Sequence, residues 1–258
     1  SLTGSVIVTG NKSFQAGTNY VFNGETTKPF GISSGSGNAS IFAGSVDVNA
    51  SITVNRNFSV YRRLGINAKI TLRPLDTLFV LAGGVINGNY NSTNYIVTDY
   101  NSTTGAQSVV QYDGLSTSVT LPIGTVNYFL PVTLSPTTVS SFTAAAFIGI
   151  TSNGQVNGTQ LTPAQKQLVV NAVWNINRIN GTGSSSLQLN WNTALEGSTF
   201  TTLPNTGIGL IFNTGSSWSL PIGTGNNTTN IVNATVSSFG SFTAGAVPSS
   251  TPFVFNPL

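Results

Sequence analysis

The chain reads as an all-β protein: a β-solenoid-like region over 1–118, an antiparallel β-sandwich over 119–246, and a strand-like tail over 247–258. Three observations carry that expectation. Short runs rich in Val, Ile, Thr and Phe alternate with polar residues and stop at Asn/Gly corners. Only 6% of the 258 residues are charged, and neutral Ser, Thr, Asn and Gly take their place. Apolar residues still make up 39% and aromatics 10%, enough to bury a core and too many for a disordered chain.

The elements follow in order. Ser5 to Thr9 and Asn19 to Phe22 each end at a turn dipeptide, Gly10-Asn11 and Asn23-Gly24. Residues 31–40 have no periodicity and read as a surface loop. Between Ala39 and Ile86, runs such as Val46-Asp47-Val48, Ile52-Thr53-Val54, Phe58-Ser59-Val60, Ile70-Thr71-Leu72 and Leu78-Phe79-Val80 follow closely. Their spacing suits stacked solenoid coils, with a flat antiparallel meander as the competitor. Residues 87–118 are Asn-, Ser- and Thr-rich and read as a transition, with strands near Ile96 and Val109.

Longer strands are expected beyond it: Val119 to Ile123, Phe129 to Leu134, Ser141 to Ile150, Val170 to Ile176, Leu187 to Trp191, Gly207 to Phe212, Ser217 to Leu220, and Ile231 to Val236. One helix is predicted, from Pro163 to about Val169. Thr162 stands at its N-cap, Pro163 at its first position and Gln165 completes a capping box. Leu121 to Thr125 recurs as Leu220 to Thr224, and Val139 to Ala144 returns near Val236 to Ala244. Similar strand-turn units within one sandwich account for the echo, as do two tandem related domains.

The same composition narrows function. His, Cys and Met are absent. The carboxylates Glu25, Asp47, Asp76, Asp99, Asp113 and Glu196 stand singly, so the paired acids of a glycosidase are not evident. No metal-ligand spacing, phosphate loop or cofactor motif is present, and no cofactor is expected. Nine Lys/Arg residues, with a net charge of +3, do not make the dense basic face of a nucleic-acid binder. No apolar run is long enough for a membrane-spanning helix. The opening Ser1-Leu2-Thr3-Gly4 lacks an initiator Met and a signal peptide, which reads as a processed chain or a fragment. So weakly charged a surface repels its neighbours little and favours association.

Several segments resemble repetitive surface proteins and adhesins of Bacteroidetes-type bacteria. They are Asn19 to Thr27, Leu121 to Thr125 with Tyr128 to Leu134, Val173 to Ile176, Gln188 to Asn192 with Glu196-Gly197, Gly215 to Trp218, and Val236 to Ala244. The resemblance implies export to the cell surface, often by the type IX route, and an adhesive or structural role. It implies no catalytic residues. The C-terminal sorting domain that such proteins often carry is not part of this sequence.

Three features are candidates for contact with a partner. Arg56, Arg62, Arg63, Lys69 and Arg73 form a basic cluster that suits an anionic glycan or an acidic protein surface. Equally they suit solvated coil edges that deter edge pairing, and strand alternation sets Arg62 and Arg63 on opposite faces. Trp218, beside a Gly-Ser-Ser turn, is the best placed of three tryptophans for sugar stacking, whereas Trp174 and Trp191 read as core. Phe253, Val254 and Phe255 form a tail that suits pairing with another chain's sheet. The frequent Asn-x-Ser/Thr triplets, among them Asn49, Asn91 and Asn233, read as chance composition, or as corner residues whose amides stack from coil to coil. The expectation is a non-enzymatic, secreted structural or adhesive protein, associating with itself, with other surface proteins or with glycans. A polysaccharide-binding or lyase-type β-helix protein is the alternative.

Overall fold

The computed structural model describes residues 17–25, 41–54, 56–213, 215 and 217–246. The expected strand at Ser5 to Thr9, the loop at 31–40 and the tail with Phe253, Val254 and Phe255 lie outside them. The described chain is all-β. Its first part comprises β1 (Thr18–Phe22), β2 (Ile41–Val48), β3 (Ile52–Val54), β4 (Phe58–Ile66), β5 (Ile70–Leu72), β6 (Thr77–Val80), β7 (Val85–Asn87), β8 (Ile96–Thr98) and β9 (Val109–Leu115). Then come β10 (Val119–Leu121), β11 (Ile123–Gly124), β12 (Val132–Pro136), β13 (Ser140–Ile148), α1 (Pro163–Lys166), β14 (Ala172–Asn180), β15 (Ser185–Asn190), β16 (Ile208–Asn213), β17 (Thr224–Asn226), β18 (Ile231–Val236) and β19 (Gly240–Ala246).

Strand polarity changes along the chain. β1, β2, β4, β6 and β9 pair in parallel, with β7 also on β4. A second parallel stack runs β3, β5, β8, β11 and places Ile52, Ile70, Ile96 and Ile123 in one register row. All four isoleucines are buried. Branched side chains stacked this way fill the space between the stacks, which is why such short strands persist. The antiparallel meander is therefore excluded for this region.

From β9 onward the pairing is antiparallel, through β13, β14, β19 and β16. A five-stranded sheet, in the order β10-β12-β15-β18-β17, forms the other layer. Phe142, Ala144, Trp174, Ile176, Phe242 and Ala244 from one sheet share a core with Leu134, Leu187, Leu189, Val232 and Ala234 from the other. Trp174 is fully buried, and its Nε1 donates to the Leu130 carbonyl at 2.9 Å. The opposite face of β13, β14 and β16 holds a smaller core of Phe147, Ile150, Val156, Leu161, Val169, Val173, Ile211 and Trp218.

The expected division at 118/119 is not a break. β9 pairs with β6 on one side and β13 on the other, and β11 continues the stack begun at β3. One core runs from Ala43 to Ala244. The helix ends at Lys166, earlier than expected, because Val169 and Val170 are taken into bridges with Gly245 and Glu196. Its capping box is present, with Thr162 Oγ1 accepting from the Gln165 N–H and Gln165 Oε1 accepting from the Thr162 N–H. Residues 217–220 form no strand: Trp218 makes a single bridge to Asn213. The echoed Ser-Phe-Thr-Ala segments lie in β13 and β19, the two neighbours of β14, so they are units of one sheet.

Candidate functional site

The basic cluster does not converge. Arg56 and Arg73 sit near Asp76, which Arg73 Nε meets at 3.3 Å. Burial holds the Asp76 carboxyl above its ordinary value of 3.8, against the opposing pull of Arg73 and Arg56. Lys69 points elsewhere, donating to the Val126 carbonyl at 3.1 Å and lying 4.8 Å from the Tyr95 ring centroid. Arg63 pairs with Asp47. Arg63, Lys69 and Arg73 thus each meet a different partner within the chain.

Arg62 and Arg63 depart from the strand alternation expected of them. Ala43 pairs with Val60 and Ser45 with Arg63, so Tyr61 and Arg62 together oppose the single residue Gly44. This is a β-bulge, and Tyr61, Arg62 and Arg63 are all exposed. Gly44 tolerates nothing larger, since a Cβ there would lie 2.3 Å from the Gly17 carbonyl oxygen.

Asparagines at the next corner form a ladder. Asn49 Nδ2 donates to Asn23 Oδ1 at 2.9 Å, and Asn67 Nδ2 donates to Asn49 Oδ1 at 2.9 Å. Asn67 Oδ1 in turn accepts from the Asn89 backbone N–H at 3.1 Å. A side-chain amide carries both donors and acceptors, so the same residue repeats from one corner to the next without a mismatch.

The tryptophans are not a sugar platform. Trp218 is 5% exposed, and its Nε1 donates to the Thr151 carbonyl at 2.9 Å. The Gly-Ser-Ser turn beside it suggested exposure; the apolar pocket under residues 149–170 takes the ring instead. Trp174 and Trp191 are also buried, and Trp191 Nε1 donates to Glu196 Oε1 at 2.7 Å.

A further candidate surface is one that no motif marks. Thr120, Thr133, Gln188, Asn233 and Thr224 are register partners across all five strands of the second sheet. Ser135, Ser186 and Thr235 form a parallel row. Their strand neighbours Leu121, Val132, Leu134, Leu187, Leu189, Val232, Ala234 and Val236 are buried, which puts both rows on the outer face. No charged residue occurs on these strands. Between 119 and 246 the sequence has only Lys166, Arg178 and Glu196. All three are engaged within the chain: Lys166 with Gln160, Arg178 with the Phe239 ring and the Gly183 carbonyl, and Glu196 with Trp191.

The acids are likewise dispersed. Asp47 and Asp76 meet different arginines, Asp99 accepts from the Tyr100 N–H, and Asp113 accepts from Gln111. No group of three or more His, Cys, Asp or Glu gathers among the described residues. Comparison with protein families, with curated proteins and with solved structures finds no match to this chain.

Proposed function

We propose that this chain is a non-enzymatic structural or adhesive protein of the bacterial cell surface, a self-associating fibre subunit or a module of a large adhesin. The observation that carries the reading is the uncharged outer face of the five-stranded sheet. A face built from Thr, Ser, Gln and Asn offers both donors and acceptors, and no charge on it repels an identical face. Desolvating neutral amides and hydroxyls against matching partners costs far less than desolvating charges. The rest of the chain supports a passive role: every described acid has its own local partner or stands alone, and the corners are fixed by an asparagine ladder and ion pairs. Export to the surface, and the type IX route with it, rests on the sequence resemblance.

Electron microscopy of the purified chain, with light scattering in parallel, tests the proposal. Uniform fibres or ordered oligomers are expected for a subunit, and dispersed particles for an adhesin module. Thr133→Lys with Asn233→Lys places like charges on the neutral face and is expected to abolish assembly while leaving the fold intact. Release of soluble sugar products from an acidic polysaccharide would overturn the non-enzymatic reading.

A further inference from the structure

The parallel region carries a row of side chains on its outer face that differs in kind from the neutral sheet. Phe42, Ser59, Phe79 and Gln111 are register partners on β2, β4, β6 and β9. Neighbouring strands lie about 4.8 Å apart, so the row advances by that step. The residues that alternate with them, Phe58, Val60, Leu78, Val80, Val110 and Tyr112, are buried, which turns the row outward. Phe42 is 42% and Tyr61 44% exposed, and their ring centroids are 6.1 Å apart with the planes tilted by 37°. Ser59, between Phe42 and Phe79 in the register, is only 3% exposed.

The bulge at Tyr61-Arg62 completes the arrangement. It swings Tyr61 and Arg62 outward beside each other at the rim of the aromatic row, where regular alternation would have parted them. Asp47 neutralises Arg63, whereas Arg62 has no acidic partner among the described residues. The result is a pair of solvent-facing rings beside a guanidinium with no acidic partner among the described residues.

We infer that Phe42, Tyr61 and Phe79, with Arg62, form a binding shelf for an extended acidic polysaccharide. Pyranose rings present a C–H face that packs on aromatic rings, and an extended glycan advances per sugar by a distance close to one strand spacing. Carboxylates along such a polymer supply a counter-charge for Arg62, in the bidentate geometry a guanidinium favours. An apolar protein partner matches less well, because Ser59, Gln111 and Arg62 interrupt the aromatic surface. The shelf lies in the parallel region and the neutral face in the antiparallel layer, so this inference stands apart from self-association.

Titration of the whole chain with alginate by isothermal calorimetry, with dextran as the uncharged control, tests it. Alginate is expected to bind and dextran to bind much more weakly. Phe42→Ala and Tyr61→Ala are each expected to weaken alginate at least about tenfold, the scale of a lost ring contact. Tyr61→Phe, which keeps the ring, is expected to retain most of the affinity. Arg62→Gln is expected to weaken alginate and reduce the dependence of binding on salt. No alginate binding by the parent chain, equal binding of dextran, or ring deletions that keep parental affinity would each overturn the shelf. Light scattering on the same variants separates the two readings, since assembly is expected to persist in Phe42→Ala and Tyr61→Ala.

Discussion

Leu75 shows what the backbone of this chain accepts at its corners. The Asp76 N–H donates to the Arg73 carbonyl at 2.9 Å, so Arg73-Pro74-Leu75-Asp76 closes a tight turn with proline at its second position. Leu75, at the third, has φ of 76°, where glycine is the ordinary occupant. It is also 75% exposed, so its side chain recovers little by packing. A left-handed conformation costs a residue with a Cβ about 1–2 kcal/mol, and glycine's extra freedom in the unfolded chain cancels part of the relief. Leu75→Gly is therefore expected to stabilise the protein by about 0.5–1 kcal/mol, read as a rise in the urea midpoint at constant slope. An unchanged or lower midpoint would mean that the leucine side chain makes contacts that compensate the strain.

At the scale of the element, each parallel strand must be kept in register with the next. Strands this short have few ladder bonds, so side-chain amides at the corner contribute a large share. Asn67 occupies the middle of that ladder, donating to Asn49 and accepting from Asn89. Asn67→Ala removes both bonds and is expected to cost about 1–2 kcal/mol. Asn67→Asp keeps the acceptor for the Asn89 N–H but cannot donate to Asn49, so its melting temperature is expected to fall between parent and alanine variant. Equal loss in both variants would show that the donor to Asn49 carries the whole effect.

Much of this level was legible in the sequence. Alternation gave most strands within a few residues, Ile231 to Val236 to the residue, and Asn at coil corners was recognised as a stacking option. Parallel pairing was not fixed, because a run such as Ile-Thr-Val alternates the same way in either polarity. The bulge at Tyr61-Arg62 lies opposite Gly44, whose close approach to the Gly17 carbonyl no local pattern records. β19 carries small residues where its neighbours come close, a Cβ at Gly245 lying 2.2 Å from Ile211 Cδ1, so it lacks the large alternating residues that mark a half-buried strand. The aromatic row was missed for a related reason: Phe42 and Phe79 look like core residues until the register shows which way they face.

For the whole molecule, the decisive feature is that two pairing styles share one sheet. Phe58, Leu78, Val110, Ala144 and Ile176 are successive register partners from β4 through β14, crossing from parallel to antiparallel pairing without a gap. All five are buried in one core. A cut at 118/119 would leave β9 with an open edge along residues that pair with β13, and β8 without β11. Each half would then expose apolar surface that the other now covers, at about 25 cal/mol for each Å². Thermal unfolding of the chain in dilute solution is therefore expected to be a single transition, with calorimetric and van't Hoff enthalpies in agreement. A chain spanning 119–246 alone is expected to lose that sharp transition and to associate through the freed edge of β13. Two well-separated transitions in the intact chain, or a sharply melting 119–246 fragment, would show that the halves fold independently and that the shared sheet only joins them.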